Sequence, residues 1–170
     1  MAHAVVRTDK MYGTDVRTGM VSVAITEDNG IDNGCVAILG DLVAKEAGGK
    51  EREVYSIAKP AAADDFGKVV LIASPEVNAN PLEYALDAFF NKKDSIARGY
   101  RLHHGDIFSV TAEALDGASD DTEAGAIVEL KADYKLKVVS SATSGSTTIG
   151  TIIDIETVGS YKFFVIEVTA

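Results

Sequence analysis

Gly99-Tyr100-Arg101-Leu102-His103-His104-Gly105-Asp106-Ile107-Phe108-Ser109-Val110-Thr111-Ala112-Glu113-Ala114-Leu115 sets a Gly-Asp turn directly ahead of a β-branched and aromatic run. A turn that feeds a strand, with no catalytic group assembled around it, points to a structural β protein. The same pattern extends in both directions. Val21, Val23 and Ile25 alternate with Ser22 and Ala24, the period of a strand with one buried face. Further strands are predicted over Cys35 to Leu39, Glu53 to Ala58, Lys68 to Ala73, Ile107 to Ala114, Ala126 to Leu130, Lys135 to Val139, Thr148 to Ile155 and Tyr161 to Val168. Asp28-Asn29-Gly30, Asp32-Asn33-Gly34, Asp116-Gly117 and Ser144-Gly145 separate them, residues that tolerate positive φ or bond their own backbone.

One segment reads differently. Asn80 can cap a helix that starts at Pro81, with Glu83 placed as in a capping box, and Leu82, Ala85, Leu86, Phe89 and Phe90 then share one face. Lys92 and Lys93 suit its carbonyl end, and Asp94 to Arg98 extends it by a further turn before Gly99. Its apolar face is read as core packing rather than as a partner-binding surface. The resulting fold class is mainly β, with two small β-barrel or sandwich-like halves joined by a short amphipathic helix. The division is an N-terminal β domain over 1–79, a connecting helix over 80–98 and a C-terminal β domain over 99–170. The halves are faintly alike: Gly34 to Leu39 parallels Gly125 to Leu130, and Lys68 to Ile72 parallels Lys162 to Ile166. Duplication and shared β composition both account for this, and both origins stay open. Ala44 to Lys50 and Asp116 to Glu123, rich in Gly, Ala and charge, are expected to be exposed loops.

The 170 residues are 46% hydrophobic and 25% charged, the balance of a globular domain. The longest apolar runs, such as Val69-Val70-Leu71-Ile72-Ala73, fall far short of the roughly 20 residues that cross a bilayer. The first 25 residues lack the charged-then-apolar order of a signal peptide, so synthesis in a cytoplasm is expected and no membrane partner. Sixteen Lys and Arg against 26 Asp and Glu leave a net charge of −10, which disfavours nucleic acid as a partner.

Chemical signatures are missing where they would be sought. Gly48-Gly49-Lys50 is followed by Glu51 and lacks the earlier glycine of a P-loop, no Gly-x-Ser-x-Gly occurs, and Ser144-Gly145-Ser146 reads as a turn. His103 and His104 are adjacent and would point to opposite faces of a strand, so a turn or surface role is expected for them rather than a shared metal. Asp116, Asp120, Asp121 and Glu123 concentrate acid in one loop without the spacing of an EF-hand. Cys35, the lone cysteine, lies in an apolar run and reads as a buried hydrophobe. A sugar-stacking platform is poorly supplied, with no Trp and 7% aromatic residues. No catalytic residue, metal site or cofactor is therefore assigned.

The opening Met1 to Met11, the stretches Glu51 to Ile57, Val70 to Val77 and Gly99 to Leu115, and the ending Thr151 to Val168 resemble small head proteins of tailed bacteriophages and prophages. The resemblance implies a head decoration, or capsid cement, protein. Such a component binds an assembled shell of major capsid protein on the exterior of the virion and stabilises it, and it needs no catalytic residues. The alternative is a ligand-binding β-barrel serving as an adhesin or accessory module. A homo-oligomer fits either role. Capsid-binding candidates are Arg7, Lys10, Tyr12 and Arg17, which gather positive charge and an aromatic ring in the first residues of an acidic chain. Two roles are open for that segment, an arm that orders on a partner or an ordinary edge strand.

Overall fold

In a computed structural model, residues 2–45, 49–77 and 85–170 are described, the side chains of Asp9, Glu51 and Arg52 excepted. The described chain is mainly β. Its first strands are β1 (Val6–Lys10), β2 (Met20–Ala24), β3 (Val36–Ala44), β4 (Lys50–Ala58), β5 (Val69–Ile72) and β6 (Ile96–Arg101). After them come β7 (Ile107–Thr111), β8 (Leu115–Asp116), β9 (Ile127–Glu129), β10 (Leu136–Val139), β11 (Thr148–Val158) and β12 (Tyr161–Val168). Five of these close a barrel in the order β2-β4-β3-β5-β6, and seven form a sheet in the order β1-β7-β12-β11-β9-β10-β8. All neighbours are antiparallel except β2 with β4 and β8 with β10.

The two bodies share a wall. Along β5, Val70 and Ile72 fill the barrel, whereas Val69, Leu71 and then Ala73 face outward into a larger core. β3 repeats the alternation, with Ala37 and Leu39 inside and Val36 outside. A strand buried on both faces has no polar side to show, which is why Val69-Val70-Leu71-Ile72 reads as an unbroken apolar run. The outer core brings these residues against Phe108, Phe164, Ile149, Ile152 and Ile166 of the seven-stranded sheet. Burying each such aliphatic side chain is worth about 1.5–3 kcal/mol.

Strands cross between the sequence halves. β1 pairs with β7 at the edge of the second sheet, so the opening residues are an edge strand. Ahead of it, the Ala4 N–H donates to Asp32 Oδ2 (3.2 Å), beside the barrel, and Thr111 N–H donates to the Val5 carbonyl (3.0 Å) in the sheet. The segment 3–11 thereby laces one body to the other.

Of the predicted helix, residues 80–84 lie outside the described residues. Its remainder holds a single 3-10 turn, Leu86–Ala88, after which Phe89 is extended. The further turn expected over Asp94 to Arg98 is not formed, because Asp94 takes a positive φ of 62° and Ile96–Arg101 is β6. Asp tolerates that left-handed geometry and ends any helix there. The alternation from Ile96 onward then serves a strand. Tyr161–Val168 is a strand with the predicted bounds, whereas Ile107 to Ala114 stops at Thr111 and finishes in the 3-10 turn Ala112–Ala114. The two similar pairs of stretches are placed differently: β3 and β5 are neighbours, but β11 separates β9 from β12.

Glu129 is a fully buried carboxylate in β9. Burial works against its charge, but the hydrogen bonds from Thr143 (its backbone N–H at 3.0 Å) and from Lys137 Nζ (3.3 Å) outweigh that and lower its pKa below the ordinary 4.5. A lowered folded-state pKa stabilises the fold above 4.5 and loses that contribution as pH falls through the folded value. Chemical denaturation should therefore show wild type losing stability below that pH more steeply than Glu129→Gln, which carries no charge to lose. Parallel acid limbs for the two proteins would contradict this role of Glu129. Phe108 and Phe164, at 0% and 1% exposure, anchor the shared core. Replacing either with Ala should cost roughly 3–5 kcal/mol in the same assay, and a loss under about 1 kcal/mol at both would contradict their burial.

Candidate functional site

Beyond the shared wall, β6 turns its outer face to solvent. Its residues alternate: Ala97 points into the barrel, while Ile96, 65% exposed, and Arg98 point out. β2 lies alongside in antiparallel register, with Ser22 opposite Arg98 and Ala24 opposite Ile96. Small residues opposite large ones leave a trough. It widens into an open groove of about 1390 Å³ whose lining joins that outer row to Val21, Tyr55 and Ala97 of the barrel.

Two irregular segments form its banks, one carrying Ser74, Pro75 and Val77 and the other Phe89 to Lys92. Both are pinned by one buried side chain, Asn33. Its Oδ1 accepts from Ser74 N–H (2.9 Å) and from Asn91 Nδ2 (3.0 Å), and its Nδ2 donates to the Ser74 carbonyl (2.8 Å). Asn91 also exchanges backbone hydrogen bonds with Ile31, each 2.9 Å, and its Nδ2 donates to the Ile31 carbonyl at 3.0 Å. His3 stacks on Phe90 with ring centroids 4.4 Å apart and holds Asp32 Oδ1 through Nδ1 at 2.7 Å. The Asp32-Asn33-Gly34 cluster, legible in the sequence as a turn, thus fastens both banks.

The groove has a composition unlike the rest of the protein. Arg17, Lys92, Arg98 and Arg101 line it against a single carboxylate among its described lining residues, Glu53. None of the three arginines is ion-paired to a described residue. Several cations elsewhere are matched, among them Arg7 with Glu156 at 3.0 Å, Lys93 with Asp28 at 2.6 Å, Lys131 with Asp116 at 2.9 Å and Lys162 with Asp120 at 3.1 Å. Exposed apolar side chains gather here as well, since Met20, Val77 and Ile96 all line the groove.

The four residues singled out from the sequence do not form one cluster. Arg7 is held by Glu156 and lies over the Phe163 ring, 5.3 Å from its centroid. Lys10 is exposed at the end of β1. Tyr12 packs against His103 at 4.4 Å, and its N–H donates to the buried Asp106 (2.7 Å). Arg17, in the 3-10 turn Arg17–Gly19, alone reaches the groove. Sequence reading misses Arg98, Arg101 and Ile96; the period-two spacing of Ile96 and Arg98 is the available signal for those two but is overshadowed by the helix-capping pattern upstream.

The other candidate features are accounted for by structure. Cys35 is buried, and desolvation together with the charge of Asp32 pushes its thiol up to about 12, so it stays protonated and unreactive at neutral pH. In the acidic loop, Asp116 and Asp120 are each paired with a lysine. The Lys131 ammonium, through its hydrogen bond, holds the Asp116 carboxyl below the usual range. The barrel interior holds Val23, Ile25, Ala37, Leu39, Val70 and Ile72. No described helix is long and apolar enough to cross a membrane.

Asn33→Ala would leave the part-buried Ser74 N–H and one of the two Asn91 Nδ2 hydrogens without an acceptor, at a cost of roughly 1–3 kcal/mol. Hydrogen exchange should show the Ser74 amide losing protection far more than amides of the β11–β12 hairpin, and equal protection in variant and wild type would show that Asn33 does not hold the banks. Comparison of the chain with family models, with curated proteins and with solved structures finds no match in any of the three.

Proposed function

We propose that this chain is a structural head decoration protein that binds the exterior of a phage capsid and stabilises its lattice of major capsid protein. The observation that carries the reading is the groove, where unpaired arginines and exposed apolar side chains converge on a protein of net charge −10. Surfaces that mate with other proteins combine apolar anchors with Arg in this way. The resemblance of the chain's opening, central and closing stretches to phage head proteins supplies the partner.

The body behind the groove suits the role. A barrel and a sheet joined through a common wall, and laced by the N-terminal segment, present a surface whose parts keep their spacing. A repeating lattice rewards such a surface, because ordering on binding costs little when the interface is already formed. Arg17 at the groove and Lys10 at the edge of the second sheet are the capsid-facing cations retained from the sequence reading. Arg7 is engaged with Glu156, and reversing it would disturb the fold as well as any interface.

Co-sedimentation with heads that lack the protein tests this. Wild type should bind to a saturating copy number, and Lys10→Glu combined with Arg17→Glu should weaken binding roughly tenfold at low salt, the gap narrowing as salt rises. Wild type that stays in the supernatant at every salt concentration would overturn the capsid reading.

A further inference from the structure

We propose that the groove is a docking site for an extended, acidic protein segment that carries large apolar side chains among its carboxylates. The inference deepens the capsid reading and rests on it only for the identity of the partner as a shell protein.

Charge is the first argument. Arg98 and Arg101 line the groove from β6 and Arg17 lines it from its 3-10 turn, and none of them is neutralised by a described carboxylate. Guanidinium presents a planar fork of donors that matches a carboxylate. Three such groups left unmatched in an otherwise acidic chain are complementary to an acidic ligand.

Shape and apolar content select the ligand class. At about 1390 Å³ the groove exceeds the roughly 300–1,000 Å³ of typical small-molecule sites. It is open along a β2–β6 floor whose outer row runs Ile96, Arg98. One apolar and one basic side chain therefore stand two residues apart on the same face. An extended segment with the complementary alternation, apolar then acidic, meets both kinds of position at strand spacing. Ile96, Met20 and Val77 remain in water without such a cover. Nucleic acid offers negative charge too, but the net charge of −10 repels a long polyanion that extends past the groove.

The probe is a short fluorescent peptide in which every second residue is in turn Glu and Leu or Phe, with Thr between them, so that acidic and apolar side chains alternate on one face of the extended chain; it is titrated into the full chain and read by anisotropy. Its counterparts replace every Glu with Gln or with Lys, and an oligothymidylate serves as the nucleic-acid arm. The Glu peptide should bind, the Gln peptide about tenfold more weakly and the Lys peptide not at all. Arg17→Glu with Arg98→Glu should reduce Glu-peptide affinity about tenfold and leave the residual affinity almost independent of salt. Ile96→Ser should weaken both the Glu and Gln peptides, which separates the apolar contribution from charge. Unfolding midpoints close to wild type establish that these surface variants are folded. Equal affinity for Glu and Gln peptides, no effect of the arginine reversals, or tighter binding of the oligothymidylate would each overturn the proposal. Peptide binding without head binding would retain the groove and remove the capsid partner, and head binding without peptide binding would do the reverse.

Discussion

The wall formed by β3 and β5 is the constraint on which the rest of the molecule depends. A strand with one wet face can slide by two residues and still bury its apolar set, but β5 has no wet face. Slipping Val69-Val70-Leu71-Ile72 by one residue would exchange the side chains that fill the barrel with those that meet Phe108 and Phe164. Both cores therefore fix the same register, and neither body has a complete core without the other. Strand exchange reinforces this. β1 belongs by pairing to the second sheet although it precedes the barrel in the chain, and β6 closes the barrel immediately before the chain enters β7.

The groove exists because the wall ends. Tyr100 and Leu102 are in the shared core, whereas Arg98 and Ile96, on the outer face of the same strand, lie past the cover of the second sheet. The barrel must present that face to water, and Asn33 decides what stands around it. A buried amide that satisfies Ser74 and Asn91 together couples two banks that are far apart in sequence. Such a network is worth most when every member is satisfied, and each buried polar side-chain atom among the described residues has a partner.

Much of the fold was legible in the sequence, and its legible parts share a cause. Mainly β character came from alternation and from Asp-Asn-Gly turns, and Tyr161–Val168 emerged with its bounds because a long apolar run is closed there by Gly159-Ser160. The illegible parts depended on tertiary pairing. Ile96 to Arg101 carries a strand alternation, but its Ala and two Arg are good helix formers, and a helix-capping pattern stands upstream. Only pairing with β2 and β5 decides the matter. The candidate site suffered from the same gap. Arg17 was found through local charge, whereas its companions Arg98 and Arg101 are distant in the chain and are brought to the groove by barrel closure.

A strongly acidic protein that leaves a few arginines unpaired in one place acquires orientation as well as affinity. Most of its surface repels an acidic partner, so an encounter in the wrong pose is opposed over a wide area and favoured only where the groove faces the ligand. Exposed salt bridges of the kind that neutralise Lys93, Lys131 and Lys162 add little to stability. Their effect on recognition is larger, because each removes a competing cation from the surface. The gathering of unmatched arginines in the groove is thus the feature that would give an acidic partner one preferred way to meet this chain, with the rigid wall behind β6 carrying that orientation to the whole body.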